Sequence, residues 1–198
     1  MFQSWEENSA LELKLLRMKC IALLALSLML RPSDIAPKSS MTFQRNQIRF
    51  QDDGSVQISF HGIKNDTSRD GFCVKLPPST VPTLCPVAAL KAYMGRTAAM
   101  AEASGAVFIS LSSPFKAISS QSVANILNET LTRAGLYPTY TAKDFRPTGA
   151  TIQVREGVDP KTVMKMGRWK TDTVFFEHYV HSEPPHEFAD NVLLYNDI

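Results

Sequence analysis

The chain is poor in the features that announce a metal, a nucleotide or a membrane. Cysteine is scarce: Cys20, Cys73 and Cys85 are the 3 present, and no two stand at CxxC spacing. That excludes a disulfide framework and a zinc ribbon, and an odd thiol count without a secretion signal suits a reduced cytosolic or nuclear setting. Of the 4 histidines (His61, His178, His181 and His186), two lie three positions apart. No cysteine or carboxylate pair completes a ligand set around them, so no metal is expected. The 9 glycines form no GxxxxGK[ST] loop, which argues against ATP, and no cofactor is expected at all. Charge of one sign is lacking too, with 21 basic against 19 acidic residues and a net charge of +2. A nucleic-acid partner is permitted but not announced, so any phosphate-binding surface must be local. The longest apolar run, CIALLALSLML at residues 20–30, is too short to span a bilayer, and Glu6, Glu7 and Glu12 ahead of it do not suit a signal peptide. It reads as a buried core helix, and no membrane partner is expected.

What is present divides by periodicity. Residues 8–30 lack Gly and Pro and predict a first helix capped by Asn8 or Ser9, with Pro32 ending it or opening a new segment. From residue 41 to 76 the pattern alternates. TFQRNQIRFQ, SVQISFHGIK and GFCVKL predict a three-stranded antiparallel meander, with DDG at 52–54 and KNDTSRDG at 64–71 as its turns. PPSTVP at 77–82 reads as an extended connector, residues 86–100 as a helix, and AVFIS at 106–110 as a short strand or buried link. Further helices are expected over 119–133, 141–155, 159–167, 171–180 and 185–195, with Val174, Phe175 and Phe176 assigned to the core. There is no internal repeat. The expected class is α+β, mostly helical with one small three-stranded antiparallel sheet.

Three clusters carry chemistry. Arg31 ends an apolar helix, where it either meets an anion or faces water as a helix C-terminal cation. Lys143 and Arg146, in TAKDFRPTGAT at 141–151, share one face of a helix start near backbone N–H groups; that is a phosphate site or an ordinary solvated face. The third cluster, GRWKTDTVFFEHYVH at 167–181, is either plain aromatic packing or part of a site ending in His178-Tyr179.

Taken in order, these clusters resemble the tyrosine recombinase (phage-integrase-like) family: an Arg after a helix in LMLRPSDIA, a Lys in a strand–turn–strand, a basic-x-x-Arg before an AT helix, then G-x-W and a Tyr. The resemblance covers roughly residues 9 to 180, nearly the whole chain. It implies a catalytic domain that cleaves and rejoins double-stranded DNA, for recombination or integration, through a 3′-phosphotyrosine, with neither metal nor nucleotide. By the same resemblance, Arg31 is the first catalytic arginine, Lys64 the leaving-group acid in the second hairpin turn, and Arg146 the second arginine. Trp169 takes the His-or-Trp position and Tyr179 is the nucleophile; Arg31, Lys143, Arg146 and Trp169 would bind the scissile phosphate. Lys38, Lys75 and Arg69 are rivals of Lys64 near the same meander.

Two departures stand out. Lys143 occupies the place usually held by His, so it either accepts the attacking group's proton or only donates hydrogen bonds. Tyr179 lies ten residues after Trp169, one more than in the commonest bacterial members. With RPSD and the Trp, this looks like the recombinases of eukaryotic transposable elements of the DIRS and Crypton type, which implies a nuclear protein, or a cytoplasmic one in a prokaryote. Residues 1–183 would form the catalytic domain, without the separate N-terminal DNA-clamping domain usual in the family. Residues 184–198 would form a helical tail that docks on a neighbouring subunit in a dimer to tetramer on DNA, or packs on its own domain. A type IB topoisomerase-like enzyme and a decayed or domesticated DNA-binding protein are the competing readings.

Overall fold

The structure is a computed structural model that describes residues 1–36, 43–61 and 71–178. Its centre is α1 (Leu13–Ser27), buried on nearly every side: Leu16, Met18, Cys20, Ile21, Leu24 and Ala25 are almost wholly covered. A helix apolar all round belongs inside a bundle. Each such leucine or isoleucine contributes about 1.5–3 kcal/mol by leaving water. Among the described residues no helix is long and apolar enough to cross a membrane. The helix is shorter than residues 8–30, because Ala10 and Leu11 donate to Glu7 in a separate turn and Glu12 becomes the N-cap. It ends before Pro32, where Met29 adopts a left-handed conformation (φ 51°).

A four-residue helix, α2 (Pro32–Ile35), follows with Arg31 as its N-cap. The sheet is the expected antiparallel meander, β1 (Ile48–Phe50), β2 (Val56–Phe60) and β3 (Phe72–Leu76), in the order β1-β2-β3. Val56, Ile58 and Phe60 point to the core while Gln57 and Ser59 do not, and Phe60 pairs with Phe72 and Ile58 with Val74. Gly54 (φ 78°) closes the first turn. β1 is shorter than its alternating sequence because Arg45–Gln47 winds into a 3-10 turn. There Arg45 donates to the carbonyls of Met94 and Ala106 and to the Thr97 hydroxyl.

The helix expected over 86–100 is two: α3 (Pro86–Arg96) and α4 (Ala98–Ala101), broken where Thr97 bonds back to Tyr93. The 106–110 segment is a buried link held by isolated bridges, with Phe108 stacked on Phe43. α5 (Ser120–Arg133) starts at its Ser119 cap and buries Val123, Ile126, Leu127 and Leu131. Then come α6 (Phe145–Arg155), α7 (Pro160–Gly167) and α8 (Asp172–His178). α3, α5 and α6 all pack on α1. Phe175 is buried, but Val174 and Phe176 are 44% and 47% exposed, so two of the three residues assigned to the core face outward on the last helix. Lys64, Arg69, Lys38, Tyr179 and the 184–198 tail lie outside the described residues.

Candidate active site

The site forms where the C-terminal end of α1 meets the start of α6. Gly149 makes the approach close: a Cβ there would lie 2.4 Å from the Leu26 carbonyl oxygen. The start of α6 is fixed by Asp144, whose carboxylate accepts from the Thr141 N–H and hydroxyl at 2.8 and 3.0 Å. Asn128 on α5 accepts the Ala142 N–H at 2.7 Å. Pro147 falls in the first turn, where its missing N–H has no helical partner to lose.

Arg146 is consequently buried, 3% exposed. It donates through Nη1 to the Met29 carbonyl and through Nη2 to the Gly167 carbonyl. Its guanidinium carbon lies 3.9 Å from the centre of the Trp169 ring, a stacking contact worth about 0.5–2 kcal/mol. The left-handed Met29 turns its carbonyl to receive this arginine. A small second core of Met29, Ala150, Val163, Met164 and Phe175 holds that turn against α6, α7 and α8, with Trp169 packed edge-to-face on Phe175 at 5.0 Å.

Arg31, Lys143 and Arg146 line one pocket of about 410 Å³. Arg31 enters from the α2 N-cap, half-buried, and Lys143 is exposed at the start of the α6 segment. Ser120 and Gln121, in the first turn of α5, and Ser33 add polar groups, and among the described residues no carboxylate lines the pocket. Basic side chains together with a helix N-terminus make a surface suited to an anion. Sequence periodicity placed Ser120 and Gln121 on a helix but gave no reason to connect them with this site. Trp169 does not line the pocket; it lies behind Arg146.

Of the rivals to Lys64, Lys75 is engaged elsewhere, paired with Asp53 at 2.6 Å across the first turn of the meander. Lys75 and Ser55 hold the Asp53 carboxyl below the usual carboxylate range.

Two residues of this region were missed in the sequence. Asp34 is 1% exposed; its Oδ2 accepts the Arg31 N–H at 2.9 Å and pairs with Arg168 Nη2, also at 2.9 Å. Arg168 closes α7 in a left-handed conformation (φ 61°). Burial lowers its pKa from the ordinary arginine value, Asp34 raises it, and nearby Arg31 lowers it further. The signal for Asp34 was legible: an acid three residues after an N-cap, with Pro at the first helical position, is a helix-start pattern.

A model of the phage integrase family matches residues 7–186. The chain belongs to that family, the tyrosine recombinases. Two solved structures share the fold at a TM-score of 0.65. One is a XerA recombinase, 15% identical, with 90% of this chain and 57% of that chain covered. The other is the XerH site-specific recombinase bound to its difH substrate in a pre-cleavage complex, 12% identical, with 95% of this chain and 49% of that chain covered. The chain thus spans about half the length of these recombinases. No curated protein sequence matches it. The expected class, a mostly helical recombinase catalytic fold with a three-stranded antiparallel sheet, is the one observed.

Proposed function

We propose that the chain carries out site-specific DNA strand cleavage and rejoining. The observation that carries this reading is the convergence of Arg31, Lys143 and Arg146, 115 positions apart at the extremes, on one pocket, in a chain of this family. Arg31 and Arg146 bind the non-bridging oxygens of the scissile phosphate and stabilise the charge that builds there. Trp169 holds the plane of the Arg146 guanidinium by stacking. Lys143, exposed at the pocket, donates to the phosphate in the place of the family's usual histidine, and Ser120 and Gln121 supply further hydrogen bonds.

Tyr179, immediately after α8, loses its hydroxyl proton to solvent as its oxygen bonds to phosphorus. The 5′ oxygen leaves with a proton from Lys64, and a 3′-phosphotyrosine remains. A 5′-hydroxyl of a partner strand reverses the step. The phosphotyrosine conserves the energy of the broken bond, so rejoining needs no nucleotide. The ten-residue step from Trp169 to Tyr179 and the RPSD turn support an origin in a DIRS- or Crypton-type mobile element, hence a nuclear protein. The apolar stripe Phe188, Val192 and Tyr195 supports self-association through the tail on DNA.

The test is covalent trapping on a randomised pool of nicked duplex DNA, read as a detergent-stable protein–DNA species. The wild type should form it. Tyr179→Phe should abolish it while leaving DNA affinity within about twofold, because only the nucleophilic oxygen is lost. An adduct that persists in Tyr179→Phe refutes the assigned nucleophile, and a wild type that forms none refutes the enzyme.

A further inference from the structure

The turn after α7 holds an unexpected residue. Arg168 N–H bonds to the Lys165 carbonyl at 3.2 Å and Trp169 N–H to the Met164 carbonyl at 2.9 Å, the paired bonds of a Schellman helix end. The left-handed position in that motif ordinarily belongs to glycine, since a Cβ is disfavoured there. An arginine held in it needs a reason beyond the turn.

Its side chain supplies one. The guanidinium reaches three elements. Nη2 pairs with the buried Asp34 carboxylate, which also fixes the backbone of Arg31. The guanidinium carbon lies 5.6 Å from the Phe60 ring on β2 and 5.5 Å from the Phe72 ring on β3. Those two residues pair at the ends of β2 and β3, on either side of the stretch of sequence that contains Lys64. The residue before Arg168 gives its carbonyl to Arg146, and the residue after it stacks on Arg146. Arg168 Nη1 is buried without a hydrogen-bond partner, and Asp34 is its polar anchor among the described residues.

We infer that Arg168 is a positioning residue that locks the Arg31 turn, the paired ends of β2 and β3 and the Trp169–Arg146 stack into one arrangement, through its ion pair with Asp34 and its contact with Phe60 and Phe72. It does not touch the phosphate. The inference rests on the recombinase reading, and Arg168 sets the rate of cleavage, not the affinity for DNA.

The experiment measures the rate of covalent adduct formation at saturating nicked duplex, the DNA dissociation constant and the thermal midpoint, for wild type, Arg168→Gly, Arg168→Met and Asp34→Asn. Glycine suits the left-handed turn, and methionine keeps an aliphatic stem on the side of the rings. Both Arg168 variants should fold and cleave at least tenfold more slowly, with the dissociation constant changed less than threefold. Asp34→Asn should slow cleavage similarly, and Arg168→Met combined with Asp34→Asn should be little worse than the slower single variant, because the two residues act as a pair. Wild-type cleavage in either folded Arg168 variant overturns the inference. So does a loss of affinity matching the loss of rate, which would make Arg168 a phosphate contact, and so does failure of both variants to fold. A wild type that forms no adduct refutes the recombinase reading instead, and the inference falls with it.

Discussion

Gly167→Ala tests the stacked arrangement at the site without touching a charged group. A Cβ on Gly167 would stand 1.7 Å from Cζ3 of Trp169, 2.3 Å from Cε3 and 2.7 Å from Cη2. Ordinary contact begins near 3.4 Å, so the ring must retreat by roughly 1.7 Å or tilt. It cannot do so at no cost, because it lies 3.9 Å from the Arg146 guanidinium on one side and 5.0 Å from Phe175 on another. Alanine gains at most about 1 kcal/mol of helix propensity over glycine, and less at a helix end. Against that stand about 0.5–2 kcal/mol of cation–π contact and about 0.5–1.5 kcal/mol of aromatic packing. Overpacking strain adds about 1–3 kcal/mol if the ring stays in place. The losses win, and the net destabilisation should be about 1–3 kcal/mol. For a chain of this length that lowers the melting temperature by roughly 2–4 °C per kcal/mol. The chain has 2 tryptophans, so a Trp5→Phe background isolates the emission of Trp169, which should shift to the red as the ring is uncovered. An unchanged or raised melting temperature together with an unshifted Trp169 spectrum would refute the reasoning.

Two further variants probe the frame around the site. Gly149→Ala should destabilise by about 2 kcal/mol or more in urea unfolding despite its gain in helix propensity, since the obstacle at 2.4 Å is the Leu26 backbone and cannot rotate away. Lys19→Met should stabilise by about 1–3 kcal/mol, because Lys19 is fully buried in α1 and its ammonium has no hydrogen-bond partner among the described residues. Burial lowers the Lys19 pKa below its unfolded value, so the folded state binds this proton less tightly than the unfolded one. The advantage of Lys19→Met should therefore be full below the lowered folded pKa and shrink as the pH climbs past it toward the ordinary lysine value. An advantage that stays constant up to that pH would contradict the assignment.

The parts legible in the sequence were those decided locally. α5 shows its cap at Ser119 and its buried stripe at Val123, Ile126, Leu127 and Leu131, and the meander shows its alternation and its DDG turn. Helix α1 was legible as core because no other role suits eleven mostly apolar residues of that length. The parts that were not legible are decided by distant partners. β1 keeps 3 of the ten residues of TFQRNQIRFQ because Arg45 is needed by Ala106, Met94 and Thr97, up to 61 positions away. Val174 and Phe176 face outward because only the Phe175 face of α8 meets the second core. At the site, Arg31 and Arg146 were visible as basic residues at helix ends. The pairing of Asp34 with Arg168, 134 positions apart, has no trace in local pattern.

The way Arg146 is held has an electrostatic consequence. Met29 and Gly167 give it their backbone carbonyls, and Trp169 gives it the face of its indole ring. Each of these three orients the guanidinium, and none of the three carries a formal charge. Arg168 is treated in the opposite way, discharged by the Asp34 carboxylate at 2.9 Å. A phosphate entering the pocket meets Arg31, Lys143 and Arg146 together. Attraction between such charges at a few ångströms is far stronger in a partly buried site than in water. A chain with a net charge of only +2 can in this way present a steep local field, one that a count of its charged residues does not reveal.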